Sequence, residues 1–169
     1  MLRSAAMNVE GFPIASLAAA TLPGDVPRDA AFALAHTVDA SETSALVPHA
    51  NNIVILGWID LLASLHGDAV GAARQDLAAR GRMWFVARHE IDYLGEAFVG
   101  DDLLLVTWLE SLGRTSLVRQ SRIVRAGDGR ELTRGRSRWA HVDLATRRPT
   151  PIDEGVRATL ARSVRCTQG

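Results

Sequence analysis

The feature that most constrains this chain is a change of hydrophobic period near residue 81. Before it, "ANNIVILGWIDLLASLHG" (50–67) sets Ile53, Leu56, Ile59 and Leu62 at helical spacing, with Trp58, Leu61 and Leu65 beside them. A helix that is apolar nearly all round is buried on most sides. After residue 81 the chain reads as four long runs rich in β-branched and aromatic residues: "RMWFVARHEIDYL", "DDLLLVTWLESL", "TSLVRQSRIVRA" and "RELTRGRSRWAHVDL". Gly95, Gly100 to Asp102, Gly113 and a Gly-Asp-Gly turn at 127–129 separate them, which predicts antiparallel strands in a meander. "AFALAHTV" from residue 31 predicts one more strand ahead of the long helix. "GDAVGAARQDLAARG" predicts a second, more polar helix that stops at Gly81. "PIDEGVRATLARSV" predicts a short closing helix entered through Pro151 and Asp153. One long helix packed on a curved antiparallel sheet is an α+β layer architecture.

With 169 residues the chain forms a single domain, expected over 29–169, with residues 1–28 as a loosely attached arm. The arm's apolar stretch is broken by Pro13, falls short of the ~20 residues a spanning helix needs, and lacks a clean export signal. Lys+Arg and Asp+Glu are both 19, so the charge balance advertises neither nucleic acid nor an anionic membrane as a partner. A single cysteine, Cys166, excludes an intramolecular disulfide and suits a reducing, cytoplasmic setting. His36, His66, His89 and His141 show no ligand spacing, so no metal is expected.

The chemistry-bearing stretch is "SETSALVPHANNIVILGW" (41–58). Glu42 is the only carboxylate between Asp39 and the helix. Half-buried against the sheet it would serve as a base or nucleophile; otherwise it is an exposed loop residue. Asp39 is the reserve acid. His49 either donates to a substrate carbonyl or holds the loop. The first amides of a helix lack intrahelical partners and point outward, so an amide at His49 or Ala50 is a candidate oxyanion donor. Asn51 and Asn52 either orient substrate or cap the helix, and capping is the simpler role. Arg134, Arg136 and Arg138 alternate and share one strand face. That row suits the phosphates of coenzyme A or an acidic carrier protein, or else is a solvated face opposed by acidic residues.

Three pieces of the chain carry a resemblance: "PHANN…W" at 48–58, "FVARHEIDYLGEAFVGDDLLLVTWLESLGRTSLVRQSRIV" at 85–124 and "AHVDLATRRPTPI" at 140–152. Together they resemble the hotdog-fold acyl-CoA thioesterases of the 4-hydroxybenzoyl-CoA type, from about Ala31 to Ile152. The resemblance implies a long central helix wrapped by a curved antiparallel sheet of about five strands. It implies hydrolysis of an acyl-CoA or acyl-carrier-protein thioester without a cofactor, in a homodimer or homotetramer with active sites between subunits. Aligned on Asn51 with the family's Asp-x-x-Gly-x-x-Tyr-x-x-Asn pattern, Glu42 takes the place of the acid and His49 stands near the tyrosine. Aligned on the shorter Asp-x-x-Gly-His-Val-Asn-Asn pattern, Ala45 takes that place and no acid remains. The catalytic set implied is Glu42, His49, Ala50 and Asn51, with Asn52, Trp58, Arg114, Thr115 and Ser116 as substrate contacts. Two rivals stay open: a hotdog hydratase or dehydratase using His49 with Glu42, and a non-catalytic acyl-thioester binding protein.

Overall fold

The computed structural model describes residues 14–18 and 20–164. Its elements in chain order are β1 (Phe32–Thr37), α1 (Asn52–Ala69), α2 (Arg74–Ala79), β2 (Arg82–Tyr93), β3 (Asp102–Leu112), β4 (Ser116–Arg125), β5 (Glu131–Asp143) and α3 (Glu154–Ala161). The strands form one antiparallel sheet of order β1-β3-β4-β5-β2. The meander is therefore real for β3, β4 and β5, whereas β2 pairs with β5 rather than with its successor.

The reason lies in the link from 94 to 101, which is captured elsewhere before a hairpin can close. Ala97 O accepts from Ala50 N at 2.9 Å, His49 bridges to Phe98, and Gly100 N donates to Val38 O at 2.9 Å. Gly100 has φ +83°, a conformation that side chains other than glycine's avoid. The link thus crosses the end of the sheet over the start of α1. It carries residues 94–98 to the place where the helix begins.

Helix α1 lies in the concave face. Ile55, Trp58, Ile59 and Leu62 pack on Leu34, Leu103, Leu105, Ile123 and Leu132. The approach is close at Gly135, where a Cβ would meet Ile59 Cδ1 at 3.3 Å. Further along, Ala63 packs with Leu109, Leu117, Trp139 and the α3 residue Leu160. The more polar helical stretch is shorter than its composition predicts. Gly71, at φ +78°, turns the chain after α1, and Ala72 N donates back to Gly67 O at 2.8 Å.

Of the arm expected over 1–28, residues 1–13 lie outside the described part, as does Cys166. Residues 14–18 and 20–28 run along the convex face, where Leu17 and Val26 are buried against Val106 and Trp108. Asp25 binds the Arg122 guanidinium at 2.6 Å, and that guanidinium sits over the Trp108 ring. Among the described residues no helix is long and apolar enough to cross a membrane.

Candidate active site at the start of the central helix

Between β1 and α1 the chain makes a single 3-10 turn, Ala40–Glu42, closed by a capping box between Asp39 and Glu42. Reciprocal capping holds both ends of so short a turn. The Ser41 hydroxyl and amide, at 2.6 and 2.8 Å, hold the Asp39 carboxyl below the usual carboxylate range. Glu42 is gripped from three sides. His36 Nε2 donates to Oε2 at 2.8 Å, Asp39 N donates to the same oxygen at 2.9 Å, and Trp58 Nε1 donates to Oε1 at 2.8 Å. Its side chain is 19% exposed. Both oxygens are thus engaged from within the chain, tying strand β1, the acidic turn and α1 together. Trp58, a substrate-contact candidate by sequence, is buried here and serves as one of those ties.

Asn51 caps α1 as its type and position predict. Its Oδ1 accepts from Ile53 N at 2.9 Å and Val54 N at 3.1 Å, and its carbonyl accepts from Ile55 N at 3.0 Å. The two amides singled out by sequence are engaged: His49 N donates to Val47 O at 2.8 Å and Ala50 N to Ala97 O at 2.9 Å. The amides of Asn51 and Asn52 are left without an acceptor among the described residues, and Asn52 is the one of the two that lines a cleft.

Asn52 faces a cleft of about 230 Å³, together with His49, Ala50, Ile55, Tyr93, Leu94, Gly95 and Glu96. Within it, His49 Nδ1 lies 3.2 Å from Glu96 Oε1, with side chains 28% and 59% exposed. An imidazole and a carboxylate side by side, open to solvent and next to an unpaired helix amide, can accept a proton and stabilise a developing oxyanion. Gly95 keeps the cleft wall close, since a Cβ there would meet Leu132 Cδ2 at 3.0 Å.

The remaining candidates lie elsewhere. Arg114, Thr115 and Ser116 form the β3–β4 hairpin, where Ile152 N donates to Arg114 O and His141 N to Thr115 O. That hairpin belongs to the end of the molecule where α1 finishes. The helix has 18 residues and so spans about 27 Å. The arginine row is largely neutralised by its neighbours. Arg134 bonds Glu131 at 3.0 and 2.7 Å, and Arg136 bonds Glu110 at 2.9 and 2.8 Å. Those bonds from Arg136 hold the Glu110 carboxyl below its usual range. The solvated-face reading therefore fits Arg134 and Arg136.

A family model described as the thioesterase-like superfamily matches residues 40–160. The chain belongs to this superfamily. The matched span runs from the acidic turn to α3 and includes every residue of the cleft. Among solved structures, a predicted thioesterase from Bacillus stearothermophilus is 27% identical with a TM-score of 0.70, covering 80% of this chain and 98% of that one. A 1,4-dihydroxy-2-naphthoyl-CoA thioesterase from Synechocystis is 15% identical with a TM-score of 0.72, covering 78% and 96%. A Lactobacillus plantarum protein provisionally assigned as an oleoyl thioesterase is 18% identical with a TM-score of 0.73, and the present chain spans only 52% of its length while matching over 80% of its own. A search of curated proteins returned no match. The hotdog fold expected from the sequence is thus the fold of this superfamily member.

Sequence reasoning missed Glu96. It lies inside the Tyr-Leu-Gly-Glu-Ala corner, and the available signal was a carboxylate in a turn rich in residues the resemblance already marked. Its meeting with His49 depends on the crossing of the 94–101 link, which no local pattern reports.

Proposed function

We propose that this chain hydrolyses an acyl thioester, carried on coenzyme A or on an acyl carrier protein, in the cleft at the start of α1. The observation that supports this reading best is the His49–Glu96 pair, 3.2 Å apart, beside the open Asn52 amide. In the proposed reaction Glu96 orients His49, and His49 takes a proton from water as its oxygen attacks the thioester carbon. The carbonyl electron pair moves onto oxygen, which the Asn52 amide and the positive end of α1 stabilise. Collapse of that intermediate breaks the carbon–sulfur bond, and the imidazolium returns its proton to the departing thiolate. The products are the free acid and the thiol, and no redox step is involved. Glu42 acts at one remove in this reading: it holds the turn against α1, as its three donors suggest.

We also propose self-association to a homodimer or homotetramer. Strand β2 is an edge of the sheet with Phe85, Val86 and Tyr93 exposed, and Ile53 and Leu56 are exposed on α1. A long edge strand that exposes large apolar side chains is a surface that proteins normally cover. A cytoplasmic location is part of the same reading.

The imidazole–carboxylate pair also favours a second reading, addition of water to an enoyl thioester, because that reaction needs a proton moved at an adjacent carbon. One assay separates the two. Thiol release from a panel of short, long and aromatic acyl-CoAs and acyl carrier proteins, lost in His49→Gln, supports the hydrolase. Hydration of an enoyl-CoA without thiol release supports the hydratase. Neither activity in the wild type on any substrate overturns both.

A further inference from the structure

We infer that a small cavity under the second half of α1 binds a monovalent anion, a halide or a compact carboxylate, between Arg119 and Trp139. The cavity measures about 30 Å³, enough for one or two water-sized groups. Its walls include Ser64, Arg74, Trp84, Leu117, Arg119 and Trp139. The site is distinct from the proposed thioester cleft, and the inference stands or falls independently of that reading.

Charge carries the argument. Arg119 is 5% exposed, on the inner face of β4. Only its Nη1 is engaged, donating to His66 Nδ1 at 2.8 Å and to Thr107 Oγ1 at 3.1 Å. Among the described residues Nε and Nη2 make no hydrogen bond, and no carboxylate pairs with the guanidinium. That free edge is the one that binds carboxylates two-pronged elsewhere in proteins. An isolated buried charge costs several kcal/mol unless compensated. Here the neighbours make matters worse. His66 can offer Arg119 only a neutral lone pair, since arginine never accepts, and its Nε2 lies 3.0 Å from Ser163 Oγ. Arg74, the other charged wall, is a cation whose counter-charge is spent on Asp60 at 3.1 and 2.8 Å. Burial first and Arg74 second push the Arg119 pKa down to about 9, which still leaves it charged at neutral pH.

A second observation points the same way. Trp139 is 4% exposed, and its buried Nε1 has no acceptor among the described residues. Beside that lone indole donor, the cavity wall carries a buried guanidinium with two unused N–H groups and no carboxylate to match, which is the chemistry of an anion site and not of a cation.

Crystals grown in sodium bromide provide the direct test, with a bromide anomalous peak expected within hydrogen-bonding distance of Arg119. In solution, thermal unfolding is followed while bromide replaces gluconate at constant ionic strength. The wild type is expected to gain on the order of 5 °C or more at a hundredfold excess over the dissociation constant, saturably. Both signals should vanish in Arg119→Gln. If that variant fails to fold, Ser64→Met decides, because it fills the cavity and leaves the guanidinium in place. Acetate that displaces bromide identifies a carboxylate ligand, and acetate without effect identifies a halide; either supports the site. No bromide peak and no saturable stabilisation in the wild type, or a peak that persists unchanged in Ser64→Met, overturns it.

Discussion

The two ends of α1 each present a histidine with a charged neighbour, and the contrast between them separates chemistry from structure. At the start, His49 faces solvent beside a carboxylate. At the finish, His66 is 2% exposed and receives a hydrogen bond from a guanidinium. Burial first and the Arg119 charge second push the His66 pKa down to about 3, so it stays neutral in the folded protein. An imidazole hemmed in by a cation and a hydroxyl has nowhere to put a second proton. One beside a carboxylate at the mouth of a cleft is not closed off in this way. The same residue type therefore serves as a candidate base just ahead of α1 and as a fixed hydrogen-bond link in its last turn.

Substitution at the open end should give the largest effect. His49→Gln is expected to lower kcat for thioester hydrolysis by ~10²–10⁴, the usual span for general acid–base catalysis, with the melting temperature nearly unchanged. An equal loss from His66→Gln in a stably folded protein would erase the contrast.

The buried end should instead report through pH. Because the folded pKa of His66 lies below its unfolded value, its neutral form contributes stability above about pH 6.5, and that stability is lost progressively as pH falls toward about 3. Denaturation measured across that window should show a slope approaching ~1.4 kcal/mol per pH unit from this group, and His66→Gln should flatten it.

Next comes Glu96→Gln. The His49–Glu96 contact is an exposed ion pair and not a formed hydrogen bond, and pairs of this kind are worth ~0.2–1 kcal/mol, so kcat should fall about two- to fivefold. An unchanged kcat would remove Glu96 from the site. Smaller still, and in stability rather than rate, is Glu42→Gln. With one acceptor oxygen in place of two, it leaves the Trp58 indole N–H or the Asp39 amide short of an acceptor and should lower stability by ~1–2 kcal/mol, while activity below the melting point stays within about twofold. A loss of activity as deep as that of His49→Gln would return Glu42 to the chemistry. The smallest effect belongs to Arg138→Gln on the convex face, expected within ~0.5 kcal/mol in stability and without change in KM. A raised KM for coenzyme A thioesters alone would show that the arginine row binds phosphate after all.

How much of this was legible in the sequence depended on how local each cause is. The Asn51 cap acts within three residues, and α1 declares itself by its own period. The three-strand meander follows from its hairpins. The place of β2 could not be read, because alternation along a strand shows its faces and not its neighbour. Glu96 escaped for the same reason: its partner arrives across a link whose path is set by Ala50 and Val38. Trp58 and Glu42 were noticed singly, and nothing in their spacing showed that each satisfies the other. Arg119 was within reach, since it shares an inward strand face with Leu117, Ser121 and Ile123, and a lone arginine there already asks for a partner.

The sheet order also governs how this chain must fold. Its three middle strands are joined through short turns, so their pairing closes quickly. Both outer strands are recruited from far away: Phe32 pairs with Thr107, and Arg82 with Asp143. Such distant pairings must surrender loop entropy before any contact rewards it, which makes them slower to form than the local hairpins. The crossing of 94–101 can settle only once the far strand has docked. The cleft over the helix start is then among the last features to form, and the first to be lost when the β2 edge frays.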